Sequence, residues 1–159
     1  MVRVPLNYLI INIAEIFSHM ARHPLMHSFN MPGNEPPLQR QILIIDDDLS
    51  IRYMLGRILV GEGYAVSAAA NGEAGLKIAG KGDIDLVLLD LKMPGMSGQE
   101  TFNVLRAERP EVPVIIISAF SRQQLAGMDG VSALLQKPLD FPTLLDTIKR
   151  ILALPVAPG

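Results

Sequence analysis

Asp90 closes an apolar run, Ile84-Asp85-Leu86-Val87-Leu88-Leu89, and stands directly before Leu91-Lys92-Met93-Pro94-Gly95-Met96-Ser97-Gly98. A strand of that apolarity delivers its last carboxylate to a sheet edge, and the Pro/Gly-rich turn keeps the edge open. Asp46-Asp47-Asp48 ends a second such run, Ser118 ends a third, and Lys137-Pro138 follows a fourth. Carboxylates gathered in one place repel, and a cation offsets that cost. Hard oxygen donors with room for water suit Mg²⁺. A carboxylate beside such an ion can be a covalent nucleophile toward a phosphoryl group. Ser118 and Lys137 would then donate hydrogen bonds to the phosphoryl oxygens. The plainer reading leaves these residues as caps and turns. Asp is a good N-cap, serines commonly end strands, and a loop lysine is usually solvated. Asp48 is read as a cap or a solvated residue. Arg52 can pair with the acidic edge, but a solvated helix face is the preferred reading.

Convergence of these groups depends on the elements that carry them. Strand-like runs cover 41–45, 64–69, 84–89, 112–118 and 133–136. Between them the apolar spacing turns helical over 50–61, 73–79, 97–108, a stub at 121–126, and 141–153. Gly61, Gly63 and Gly80 close the first two helices, Ser97 caps the third, and Pro110 stops it. Five βα units with nearly continuous apolar strands imply a parallel sheet covered by helices on both faces. In such sheets the site lies outside the carboxyl ends of the strands. Asp46, Asp47, Asp90, Ser118 and Lys137 all fall there.

Length and composition agree with one packed domain. The chain has 159 residues, 49% hydrophobic and 19% charged, with net charge −2. Arg3, Arg22 and Arg40 against Glu15 and Glu35 give the first 40 residues +1 and leave −3 for the rest. No basic face remains for nucleic acid. Without cysteine there are no disulfides, thiol catalysis or cysteine–zinc sites. With no tryptophan and 5% aromatics, a base-stacking platform is not expected.

Residues 41–154 resemble the receiver domain of two-component response regulators. The motifs that carry the resemblance are Ile44-Ile45-Asp46-Asp47-Asp48, Leu88 through Gly98, Ile116-Ile117-Ser118-Ala119 and Gln136-Lys137-Pro138, in that order. The resemblance implies a doubly wound α/β fold, five parallel strands in the flavodoxin-like order 2-1-3-4-5. It makes Asp90 the phosphoacceptor, Ser118 the switch hydroxyl and Lys137 the phosphate-sensing lysine. Asp47 becomes a direct Mg²⁺ ligand and Asp46 one acting partly through water, with Asp90 and the Lys92 carbonyl completing the protein ligands. A cis peptide is expected before Pro138. The implied donor is a sensor histidine kinase or a phosphotransfer protein, and the output is contact with a downstream protein target. The expectation is a stand-alone cytoplasmic receiver rather than an enzyme, at most self-phosphorylating and autodephosphorylating with Mg²⁺.

Some positions depart from the family pattern. Leu134 stands where a switch aromatic is usual, and Phe120 is the nearest apolar substitute. The segment from Ser118 to Lys137 is shorter than usual, so its helix is expected to be stunted. Lys92 occupies a position that tunes dephosphorylation. Two other readings follow from these residues. Asp46-Asp47-Asp48 also fits the nucleophile motif of haloacid-dehalogenase-like phosphatases, with Asp46 as nucleophile and Asp48 as acid/base. Alternatively the fold serves as a pseudo-receiver that binds partners without phosphorylation.

Residues 1–40 are read as an N-terminal extension with a Pro-rich linker at 31–40, and 155–159 as a tail. Leu6, Leu9, Ile10, Ile13, Phe17 and Met20 repeat at helical spacing. Such a face can dock on a partner, a second copy or a membrane surface. Asn12 and Glu15 interrupt it, so no membrane span is expected, and it lacks a clean signal-peptide cleavage site. His19, His23 and His27 are four apart, but Pro24 breaks the helix that would align them as metal ligands. A start at Met31 would leave the extension outside the native protein.

Overall fold

A computed structural model describes residues 39–119 and 128–153. Its strands are β1 (Gln41–Ile45), β2 (Ala65–Ala69), β3 (Leu86–Asp90), β4 (Val114–Ser118) and β5 (Ala133–Gln136). Its helices are α1 (Leu49–Gly61), α2 (Gly72–Ala79), α3 (Gly98–Glu108) and α4 (Phe141–Ala153). The five strands are parallel and ordered β2-β1-β3-β4-β5. This is the doubly wound arrangement expected from the sequence. The 121–126 stub, Phe120, the three histidines and residues 1–38 of the N-terminal extension lie outside the described residues.

Alternation along the strands divides the apolar residues between two cores. Ile42, Ile44, Leu86, Leu88, Ile115 and Ile117 meet Leu55 and Leu59 of α1 and Leu144 and Ile148 of α4. Leu43, Ile45, Val87, Leu89, Val114 and Ile116 meet Phe102 and Leu105 of α3 and Ala79 of α2. The continuous apolar runs are therefore two half-patterns of period two, each buried under its own helices. Each fully buried Leu or Ile contributes about 1.5–3 kcal/mol of transfer free energy.

Three strands begin later than their apolar runs, β2 by a single residue. Ile84 and Asp85 precede β3, where Asp85 is tied to the start of β1: its N–H donates to the Gln41 carbonyl at 2.9 Å, and its carboxylate accepts from the Gln41 N–H at 2.7 Å and pairs with Arg40 at 2.6 Å. Val112 and Pro113 precede β4, since proline has no N–H for the ladder. Asp90 is the last residue of β3 itself, in register with Ile117.

Among the described residues every helix starts at the sheet edge where the strands end, and each start is capped. Asp48 accepts from the Ser50 and Ile51 N–H groups at 2.7 and 3.3 Å. Asn71 accepts from the Ala74 N–H at 2.9 Å. Ser97 and Glu100 form a reciprocal capping box. Asp140 accepts from the Thr143 N–H at 3.0 Å. The positive ends of four helix dipoles therefore surround the acidic edge.

Candidate functional site

The strand ends bring the chemistry-bearing residues together. Asp46 directly follows β1 and is 2% exposed, and Asp90 ends β3 at 5% exposed. Asp47 is exposed beside them. One carboxylate oxygen from each of Asp46, Asp47 and Asp90 lies within 4.8 Å of the others. Lys137 Nζ is 3.2 Å from Asp46 Oδ2 and 3.3 Å from Asp90 Oδ2. Its position is set by β5: Ser118 is in register with Gln136, and the Lys137 N–H donates to the Ser118 carbonyl at 2.9 Å. The Lys137–Pro138 peptide is cis, as expected. Ser118 is fully buried at the end of β4.

Asp48 turns away from this group. Its side chain caps α1, so the three consecutive aspartates split into two site carboxylates and one cap. Lys92 is exposed two residues beyond Asp90, and its backbone N–H donates to the Asp90 carboxylate. Leu134, at the usual aromatic position, is half-buried against the α2/α3 core. It is packed as a core residue on the side of the sheet opposite α1 and α4.

Electrostatics follow from this crowding. Burial is the largest influence on the Asp90 carboxyl and raises its pKa above the ordinary value. The Asp46 charge raises it further, while Lys137 and the Lys92 N–H pull it down without cancelling the rise. For Lys137 burial acts downward, but the charges of Asp46 and Asp90 outweigh it and hold the ammonium above its usual value. The site therefore keeps its cation and carries an excess of carboxylate.

That excess fits a small hard cation. Mg²⁺ prefers oxygen ligands at about 2.0–2.1 Å, which places neighbouring ligands about 3 Å apart and opposite ones about 4.2 Å apart. A cluster spanning 4.8 Å needs only a small contraction to meet this.

Two features stand apart from the preferred sequence reading. Arg52 is half-buried, and its Nη1 donates to the Asp46 carbonyl at 2.7 Å. It is not a solvated helix residue. Gly98 is the second. A Cβ there would lie 2.3 Å from the Asp90 carbonyl oxygen and 2.4 Å from Leu91 Cα. The Gly98 N–H donates to the Leu91 carbonyl at 3.1 Å, so the turn after Asp90 folds back on the strand end. A glycine eight residues past an acidic strand end is the only trace of this in the sequence.

Comparison with known proteins bears on the same residues. The family model for the response regulator receiver domain matches residues 42–149. Sporulation initiation phosphotransferase F of Bacillus subtilis is 35% identical over 120 residues, which cover 74% of this chain and 97% of that protein. The transcriptional regulatory protein GlrR of Escherichia coli is 36% identical over 110 residues, 67% of this chain. The match covers about a quarter of the length of that regulator. The response regulator TrrA of Thermotoga maritima, crystallised with Mg²⁺-BeF, is 32% identical with a TM-score of 0.67, covering 71% of this chain and 99% of the other. A crystal structure of TrrA in complex with the histidine kinase ThkA matches at 33% identity and TM-score 0.67, covering 72% of this chain and 100% of the other.

Proposed function

Because the chain belongs to the response regulator receiver family, the signalling domains of two-component systems, we propose that it accepts a phosphoryl group on Asp90 from a histidine kinase or phosphotransfer protein. One observation carries this reading: three carboxylates within 4.8 Å, two of them paired with one lysine. In the transfer an Asp90 carboxylate oxygen bonds phosphorus while the donor's P–N bond breaks and its imidazole leaves with the electron pair. Asp46, Asp47, Asp90 and the Lys92 carbonyl would hold Mg²⁺, which neutralises charge on the phosphoryl oxygens. Lys137 is placed to pair with the incoming phosphoryl group once Asp90 carries the acyl phosphate. Ser118 supplies a hydroxyl from the neighbouring strand.

Output is proposed to be protein contact by a stand-alone cytoplasmic receiver comprising residues 41–154. The match to 97% of the Bacillus protein supports reading this segment as a functional unit. No helix among the described residues is long and apolar enough to cross a membrane. The phosphatase reading loses its acid/base, since Asp48 is engaged as the α1 cap.

The test is intact-mass and peptide mapping after incubation with Mg²⁺ and a small phosphodonor. One phosphoryl group is expected on Asp90, and none on Asp90→Ala. Labelling of the same peptide in Asp90→Ala overturns the assignment. The core packing of Leu134 favours one second reading, a receiver that binds partners without phosphorylation. Unchanged amide NMR signals with Mg²⁺ and beryllofluoride would select it.

A further inference from the structure

Asp46 is held at each of its polar atoms. Its N–H donates to the Ala69 carbonyl at 3.2 Å. Its Oδ1 accepts from the Asp48 N–H at 2.8 Å, and its Oδ2 meets Lys137. The fourth contact, at the carbonyl, comes from Arg52 Nη1 at 2.7 Å. Arg52 also donates its backbone N–H to the Asp48 carbonyl at 3.0 Å. One residue of α1 therefore grips both ends of the Asp46–Asp48 corner. Between these grips stands Asp47, which is exposed.

We propose that Arg52 is a positioning residue of the cation site. Its guanidinium fixes the Asp46–Asp47 peptide, so that the Asp47 carboxylate is held toward Asp90 before any metal arrives. This rests on the reading of Asp46, Asp47 and Asp90 as Mg²⁺ ligands. The positive charge of Arg52 opposes cation binding, so charge alone cannot be its contribution. What distinguishes arginine is a planar, multi-donor head that holds a carbonyl in one orientation, whereas a lysine ammonium is a rotatable point charge. Residues that orient metal ligands typically change affinity by 10–100-fold when replaced.

The experiment compares Mg²⁺ binding by calorimetry for the wild type, Arg52→Lys, Arg52→Met and, as a ligand control, Asp47→Asn. Amide NMR of the metal-free proteins is recorded alongside. Arg52→Lys is expected to bind Mg²⁺ roughly tenfold more weakly although it keeps the charge. The Asp47 and Asp48 amide signals should shift before metal is added. Arg52→Lys binding as tightly as the wild type overturns the proposal, as does tighter binding by Arg52→Met. Urea unfolding in chelator confirms that each variant is folded; should Arg52→Met fail to fold, Arg52→Lys and Arg52→Gln carry the comparison. Equal affinities for the wild type and Asp47→Asn would instead overturn the ligand assignment, and this proposal with it. Loss in Asp47→Asn with no loss in Arg52→Lys overturns the proposal alone.

Discussion

Asp90 is a carboxylate buried beside another carboxylate, and its carboxyl is held above the ordinary value mainly by that burial. The folded protein therefore binds this proton more tightly than the unfolded chain does. Stability falls as pH rises between the unfolded and folded pKa values, and the penalty is complete above both. In chelator at pH 7, Asp90→Asn should have a higher urea midpoint than the wild type. The gap should close as pH is lowered through the carboxylate range. Mg²⁺ acts on the same penalty from the other side. At ten times its dissociation constant it should raise the unfolding free energy by about 1.4 kcal/mol, a gain that EDTA reverses. The adjacent aspartates separate by role. Asp48→Ala should cost about 1 kcal/mol through the lost cap and leave Mg²⁺ affinity unchanged. Asp47→Asn should lower Mg²⁺ affinity with little effect on metal-free stability, and calorimetry with urea unfolding reads both. At this scale the sequence was legible where residue type sufficed: carboxylates, hydroxyl and lysine each stand at a strand end. Arg52 was legible only as an alternative. Its contact reaches six residues back to Asp46, and only the angle at which α1 leaves β1 brings it there.

The elements themselves were readable from their spacing, but their boundaries were not always so. β1, β5 and α4 begin and end where the apolar pattern does. The pattern before β3 includes Ile84 and Asp85, where the Asp85 carboxylate is engaged by Arg40 and by the Gln41 N–H. Long-range partners of this kind have no local signature. The turn between β3 and α3 shows the same limit. Its Pro and Gly content announces a turn, but the sub-contact approach of Gly98 to the Asp90 carbonyl is a tertiary fact. Gly98→Ala should force strand end and helix start apart. A destabilisation of about 1–3 kcal/mol is expected, typical of overpacking, together with weaker Mg²⁺ binding, because the turn carries the Lys92 carbonyl. Thermal unfolding with and without Mg²⁺ checks both outcomes.

Across the sheet, burial is graded. β1, β3 and β4 are almost wholly buried, whereas β2 and β5 are largely half-exposed at the two edges. Amide hydrogen exchange should therefore be slowest in β3 and β4 and fastest among the strands in β2 and β5. The reverse order would mean that the edges, not the centre, hold the domain together. The continuous apolar runs announced a parallel sheet but not which helix covers which face; that follows from residue parity once the register is known.

The strand ends step by one residue from β1 to β3 and from β3 to β4: Ile45 is paired with Leu89, Asp90 with Ile117 and Ser118 with Gln136. Side chains reverse face at every residue, so deleting one residue within β3 would exchange its two core sets and withdraw Asp90 from the ledge it shares with Asp46 and Lys137. Length changes are thereby directed to the opposite rim, where 80–85 and 109–113 lead into strands without carrying a site carboxylate. An inserted tag or reporter loop belongs at that rim, and a scan of single-residue insertions should divide the domain into one tolerant edge and one intolerant edge.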